Sequence, residues 1–180
     1  MQLNKGSFES DRFYFEPRKA THGAEVFPYL TEEDLYHYTS STPPISVTWL
    51  TERFKNLESQ VSPDRSELWL GWIGKEKLNL NPVGLFEATL KGLEVSIAYT
   101  VFKPFWGQGV AVEGTEAMIA HLSTYYSIDN FIIEMDTRHR RSIRVAEKLG
   151  FRFVQVVNNA GFLKGMVSHE FVYEKTKPTL

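Results

Sequence analysis

The sequence predicts a mixed α/β (α+β) chain built on a mostly antiparallel central sheet of roughly six or seven strands flanked by helices. Three observations predict it. Strand-like runs at Leu68–Ile73, Pro82–Leu90 and Leu93–Phe102 follow one another across short turns, and connections that short favour antiparallel neighbours. A helix-period run from Val110 to Tyr125 then separates the last of them from a short apolar strand, Phe131–Met135. Strands joined across a helix pair in parallel, through a right-handed crossover. Between strand and helix stands the two-glycine turn Pro104-Phe105-Trp106-Gly107-Gln108-Gly109.

Each element has a local cause. Phe8 to Pro17 alternates loosely, with Phe13 and Phe15 against Arg12, Tyr14 and Glu16, and is expected as a first strand. Thr31-Glu32-Glu33-Asp34 sets a hydroxyl ahead of acidic residues, which predicts a helix carrying Leu35 and Tyr38 before the Ser40–Pro44 break. After Ser46, Val47, Leu50, Phe54 and Leu57 recur at helical spacing. Gln60–Ser66 is a polar turn. In the helix after the glycines, Val110, Gly114, Ala117, Met118, His121, Leu122 and Tyr125 share one face, and Gly114 predicts close packing at some cost in helix propensity. A helix over about Arg140–Leu149 stops at Gly150, a natural C′ residue. Phe151–Val157 and His169–Glu174 complete the sheet. With no linker, repeat or low-complexity segment, residues 1–180 are expected as one domain.

Composition narrows the function. A chain of 180 residues is long enough to bury a sizeable core. It has no cysteine, which excludes disulfides, thiolate zinc sites and a cysteine nucleophile. A net charge of −2 with no basic block leaves no electrostatic footprint for nucleic acid. Met1–Lys5 lacks the apolar segment of a signal peptide, and no apolar run approaches the ~18–20 residues of a membrane span. A soluble cytoplasmic protein, monomer or homodimer, is expected.

The glycine turn is the most informative stretch. Glycines open backbone conformations closed to other residues, and a helix start offers unpaired N–H groups at a positive dipole end. Together they suit a phosphate or pyrophosphate. A P-loop would continue Gly-Lys-Ser/Thr, where Val110 and Ala111 stand, and a dinucleotide fingerprint would place a third glycine at Val112. Neither fits.

The chain resembles the GNAT (GCN5-related) acetyltransferase superfamily, and within it the branch that acetylates N-terminal amines of ribosomal proteins. Two motifs carry the resemblance: Ala98-Tyr99-Thr100-Val101 through Pro104 to Gly114, and Ser142-Ile143-Arg144-Val145-Ala146-Glu147-Lys148-Leu149-Gly150-Phe151. Asp11 to Pro17 matches the branch's first strand more weakly. The resemblance implies a V-shaped splay between the two central parallel strands, with acetyl-CoA lying in it and no metal. It implies cofactor contacts from Ala98, Tyr99, Thr100, Val101, Trp106, Gly107, Gln108, Gly109, Val110, Ala111, His139 and Ser142.

Chemistry then needs a neutral amine near the thioester, donors to the oxyanion and a proton for the departing thiolate. Ser142 stands where related enzymes place a serine that assists the thiolate, though a first-turn serine also caps helices. Glu94 is a candidate for receiving the amine proton, two residues before the position where relatives carry a glutamate, here Ser96. Glu134, on the neighbouring strand, is a second, and Asp136 either caps the next helix or accepts an N-terminal ammonium. The family's usual asparagine is His139, which can still donate a hydrogen bond or serve as a base, and its usual tyrosine is Ala146. Trp106 is expected to shape the loop by packing. Of Arg138, Arg140, Arg141 and Arg144, one or two are expected to meet the 3′-phosphate of CoA or an acidic substrate.

The expected activity is acetyl transfer to a primary amine, with a protein N-terminus as one acceptor and a lysine, polyamine or amino-sugar antibiotic as others. A non-catalytic acyl-CoA sensor is the alternative from a different class.

Overall fold

The computed structural model describes residues 6–92 and 94–176. The N-terminal stretch Met1–Lys5, expected to carry no leader, and Leu93, expected to open a strand, lie outside the described residues. The strands are β1 (Phe8–Glu9), β2 (Phe13–Pro17), β3 (Leu68–Glu76), β4 (Pro82–Lys91), β5 (Glu94–Val101), β6 (Asn130–Asp136), β7 (Arg152–Leu163) and β8 (Met166–Thr176). The helices are α1 (His22–Leu30), α2 (Val47–Leu57), α3 (Val110–Tyr126) and α4 (Arg140–Lys148).

The eight strands form one sheet in the order β1-β2-β3-β4-β5-β6-β8-β7. Every neighbouring pair is antiparallel except β5 and β6, which run parallel on either side of α3. The count exceeds the expected six or seven because the Phe8–Pro17 run breaks into two strands at a turn closed by Ser10 N–H to the Phe13 carbonyl (2.9 Å). The final hairpin is also longer than its apolar stretches suggest.

One helix is displaced from its expected place. Thr31–Tyr38 holds only a 3₁₀ turn, Glu33–Tyr36, and the helix lies just before it, over His22–Leu30. Gly23 and Pro28 hide that helix in the sequence. The glycine is required by packing: a Cβ at Gly23 would sit 2.5 Å from Thr51 Oγ1 on α2. Helix α2 starts as expected, with Ser46 Oγ accepting the Trp49 N–H at 3.1 Å.

The sheet is covered on both faces. On one side α3 and α4 pack Val110, Met118, Leu122, Ile143 and Ala146 onto Phe15, Phe86, Val95 and Phe131. On the other, α1 and α2 bring Val26, Leu30, Leu50 and Phe54 against Ile73, Leu85 and Phe102. Burying each large apolar side chain stabilises the fold by about 1.5–3 kcal/mol. Gly114 lets α3 sit close to the sheet, since a Cβ there would lie 2.4 Å from the buried Phe86 ring. Tyr125, expected on this buried face, is exposed, because α3 meets the sheet through Thr115, Met118, Ile119 and Leu122 instead.

The feature that positions a site is the junction of β5 and β6. Their pairing consists of Val95 with Phe131 and Ser96 with Ile132. Beyond it β5 stays paired to β4 as far as Val101, and β6 to β8 as far as Asp136. The two strands therefore part, and their facing edges from Ile97 and Ile133 onward no longer hydrogen-bond each other. A V-shaped notch opens toward the glycine turn at the end of β5 and the start of α4 after β6.

Candidate active site

At the mouth of the notch, Gly107 and Gly109 adopt left-handed φ values of 74° and 79°, and nothing lies within 4 Å of where a Gly107 Cβ would be. Both demand glycine. Gly109 is the N-cap of α3, whose first intrahelical bond runs from Glu113 N–H to the Gly109 carbonyl at 3.1 Å. The amides of Val110, Ala111 and Val112 thus have no acceptor within the helix and form a cluster of donors at its positive end.

The loop is held from below. Gln108 Nε2 donates to the Pro104 carbonyl at 2.8 Å. Arg12 Nη2 donates to the Gln108 carbonyl at 3.0 Å, and Arg12 Nε and backbone N–H both reach the Glu113 carboxylate, at 2.7 and 2.8 Å. Ser10 Oγ donates a third bond to the Glu113 carboxylate at 2.7 Å. Burial alone would push the Glu113 carboxyl up, but the bonds from Ser10 and Arg12 hold it below its usual range. Trp106 donates its indole N–H to the Val101 carbonyl at 2.6 Å, and the Arg141 guanidinium lies 4.5 Å from the centre of its ring. Trp106 thereby packs the turn against the end of β5.

Across the notch, Tyr99 on β5 meets Ser142 in the first turn of α4, hydroxyl to hydroxyl at 3.1 Å. Burial pushes the Tyr99 phenol up to about 12, although the bond with Ser142 pulls it the other way. Both hydroxyls therefore remain protonated at neutral pH. Ser142 is buried and makes no cap hydrogen bond, since His139 is the N-cap residue of α4.

A cluster of unpaired backbone amides at a helix start, beside two splayed parallel strands, is chemistry suited to a phosphate-bearing ligand. The sequence model of the acetyltransferase (GNAT) domain family matches residues 12–152. The chain belongs to the GNAT acetyltransferase family.

No curated protein matches the chain in sequence. Its fold is shared with solved structures at low identity. RimL, a ribosomal L7/L12 alpha-N-protein acetyltransferase solved with coenzyme A, superposes with a TM-score of 0.85 at 14% identity, covering 96% of this chain and 98% of that one. The ribosomal-protein-S5-alanine acetyltransferase of Vibrio fischeri gives 0.82 at 12% identity, over 96% and 97%. The microcin C7 self-immunity acetyltransferase MccE, solved with acetyl-CoA and AMP, gives 0.79 at 16%, over 92% and 93%.

On this GNAT frame the remaining candidates separate by face. Tyr99 shares the α3/α4 side with Val95, Ile97 and Val101, whereas Ala98, Thr100 and Glu134 point to the opposite side, since paired residues on β5 and β6 share a face. Ala98 and Glu134 are exposed there, next to the notch. Glu94 lies at the other end of β5, paired with Lys91 beside the hairpin turn, four residues and about 13 Å before Ala98. The structure does not bring Glu94 to the notch.

Asp136 is buried and fully engaged. It accepts Arg138 Nε at 2.8 Å, Arg138 Nη2 at 2.7 Å and the Ser168 hydroxyl at 2.7 Å. The Arg138 bonds, with Ser168 behind them, hold its carboxyl well below the carboxylate range. It has no capacity left for an ammonium, and Arg138, so tethered, is withdrawn from the basic cluster. Arg140, Arg141 and Arg144 are exposed. His139 is half-buried, and desolvation followed by the nearby Arg141 charge lowers its pKa, so the ring is neutral at neutral pH.

Three contributors escaped sequence reasoning. Arg12 braces the glycine loop, and the weak first-strand motif around it was its one signal. Tyr38 stacks on His139 with ring centres 4.7 Å apart. Lys103 pairs with Glu32 at 3.0 Å and Asp34 at 2.8 Å. The segment Glu32–Tyr38 thus spans the open end of the notch, from the end of β5 to the start of α4. Its acidic residues were legible only as a helix start.

Among the described residues no group of three or more His, Asp or Glu is placed to hold a metal ion. No described helix is long and apolar enough to cross a membrane.

Proposed function

We propose that the chain transfers an acetyl group from acetyl-CoA to a primary amine, with a protein N-terminus as the acceptor, by direct attack in a ternary complex. The observation that carries this is the Tyr99–Ser142 hydroxyl pair at 3.1 Å, set in the notch where β5 and β6 stop pairing. The amides of Gly107 to Ala111 suit the diphosphate, and the free strand edges suit the amides of the pantetheine arm. That RimL and MccE bind CoA or acetyl-CoA on the same fold supports it.

In the proposed reaction the amine nitrogen attacks the thioester carbonyl carbon, forming the C–N bond. Collapse of the tetrahedral intermediate breaks the C–S bond. The leaving thiolate takes the proton of the Ser142 hydroxyl, which receives the Tyr99 proton in the same step, and Tyr99 is reprotonated from solvent as the proton of the attacking amine is released to solvent. The ammonium proton leaves on the opposite face, where Glu134 is the carboxylate beside the notch. Ala146 is fully buried and supplies no acid, so the role falls to Ser142.

An N-terminal acceptor is supported by the charge of that face. Glu170, on β8 beside Glu134, has its carboxyl pushed up by burial first and then by the charges of Glu134 and Asp136. Such a negative region attracts an ammonium before it is deprotonated. The substrates named for RimL and the Vibrio fischeri enzyme are ribosomal proteins. The decisive experiment incubates the protein with acetyl-CoA and a library of free-amine peptides, following thiol release and peptide mass. Acetylation of α-amines is expected. An acetyl-CoA-induced rise in melting temperature with no product from any peptide, polyamine or aminoglycoside would leave a sensor in its place.

A further inference from the structure

On the acceptor side of the sheet, one buried charge has no part in the chemistry above. Register sets Gly71 of β3, Glu87 of β4 and Ala98 of β5 in one row across the sheet, facing the same side as Glu134. Two residues along, Ile73 and Leu85 lie under α1 and α2. At this row the cover ends: Glu87, Thr89 and Ser96 are partly exposed and Ala98 is exposed. Arg18 closes the row at the end away from the notch. Its backbone N–H donates to the Gly71 carbonyl at 2.8 Å, its guanidinium lies 5.3 Å from the centre of the Phe54 ring of α2, and its Nη1 donates to Glu87 Oε1. A Cβ at Gly71 would stand 2.8 Å from Arg18 Cζ, so the glycine is what lets the guanidinium rest against β3.

Such a pair is a poor way to stabilise a core, since apolar residues of similar volume usually serve as well or better. The Arg18 side chain is only 6% exposed, and Glu87 is its one carboxylate partner among the described residues. What the pair secures is the Glu87 carboxylate at the edge of the open face. Its side chain is 41% exposed, one oxygen is fixed by Arg18, and no donor among the described residues reaches the other. With its charge compensated, this carboxylate suits a neutral N–H better than a second cation, and the bond is still a strong one. Neighbouring strands lie about 4.8 Å apart, so a nitrogen reacting beyond Ala98 is roughly 5–8 Å away. An extended peptide advances about 3.3–3.6 Å per residue, which brings the N–H of its third residue into that interval.

We propose that Glu87 binds the main chain of the acceptor by accepting this N–H, and that Arg18 is the residue that positions it. The inference rests on a peptide N-terminus as the acceptor. It gives the open face a hold on the one feature that peptides of different sequence share.

Calorimetric binding of a free-amine alanine pentapeptide to the CoA-loaded protein, beside steady-state acetylation of the same peptide, tests it. Glu87→Ala should weaken binding and raise KM about tenfold, with kcat within about twofold. Methylating the third-residue nitrogen should weaken binding to the wild type by the same factor and to Glu87→Ala not at all. Glu87→Gln, which keeps an acceptor oxygen, should recover most of the affinity, and Arg18→Met should reproduce the rise in KM. Far-UV spectra and the CoA-induced rise in melting temperature check folding; should Arg18→Met not fold, the two Glu87 variants, at a partly exposed position, decide alone. A Glu87→Ala protein with wild-type affinity and KM overturns the proposal, as does an N-methyl penalty equal in both proteins or a loss confined to kcat. Glu87-dependent binding of a peptide that is never acetylated would sink the transferase reading and leave the subsite standing. Acetylation that ignores Glu87 would do the reverse, and a peptide that neither binds nor reacts would remove both.

Discussion

The two sides of the notch are built differently. On the α3/α4 side the groups around the glycine turn and the start of α4 are tied together: Arg12 with Glu113 and Gln108, Gln108 with Pro104, Trp106 with Val101, Tyr99 with Ser142. On the opposite side Glu134 and Ala98 are exposed, Ile45 and Trp49 at the start of α2 are exposed too, and Glu87 is held by the buried Arg18. The contrast follows from the demands of the two proposed ligands. A diphosphate and a pantetheine arm never vary, so a preformed geometry is worth the conformational entropy of ordering it. An amine acceptor varies in its side chains, and an open face accommodates that.

The sharpest way to break this comparison is at the tied side. Gly109→Arg strains the turn at φ 79° and sets a second guanidinium against Arg12 Nη2, 3.5 Å from where a Cβ would be, so it should abolish both turnover and the acetyl-CoA-induced rise in melting temperature. A retained shift would detach the loop from the cosubstrate. Ser142→Ala comes next. It should lower kcat on the order of 10²-fold, the usual weight of one proton-transfer group, while the KM for acetyl-CoA stays within about threefold. Unchanged turnover would reduce Ser142 to a packing residue. On the open side, Glu134→Gln should cut kcat/KM for the amine by about tenfold, or ~1.4 kcal/mol of barrier, with the acetyl-CoA shift intact. If that variant lost cosubstrate binding instead, the division by face would be wrong.

The smallest effect concerns the frame beneath both sides. His121 is buried among Phe8, Trp72 and Tyr125, its Nε2 has no hydrogen-bond partner among the described residues, and burial lowers its pKa below 6.5. A folded value below the unfolded one means that its contribution is fully present above about pH 6.5 and is lost as pH falls through the folded pKa. Melting temperature should therefore drop between pH 7 and pH 5, and His121→Phe should flatten part of that slope. His22 and His139, also lowered, contribute to the slope in the same direction. A slope identical in wild type and His121→Phe would show that the imidazole is not what titrates.

Much of this was legible in the residues because it rests on local rules. Alternation placed β3, β4 and β5, the stripe of Val110, Met118 and Leu122 placed α3, and Gly107 and Gly109 marked a left-handed turn before a helix start. α1 was illegible because Gly23 and Pro28 argue against a helix, and only the close approach of Thr51 explains the glycine. Glu94 and Glu134 looked equivalent as carboxylates on central strands, since nothing along the chain says at which residue two strands part company.

The amino acids alone determined the strand and helix periods, the two-glycine turn and the family, all properties of residues close together along the chain or of short motifs. Left to three dimensions were the end of β5–β6 pairing after Ser96 and Ile132, the meeting of Tyr99 with Ser142, and the bracing of the loop by Arg12 from 96 residues away. Those depend on how twisted strands and packed helices bring distant segments together. Local propensity carries no record of such long-range contacts.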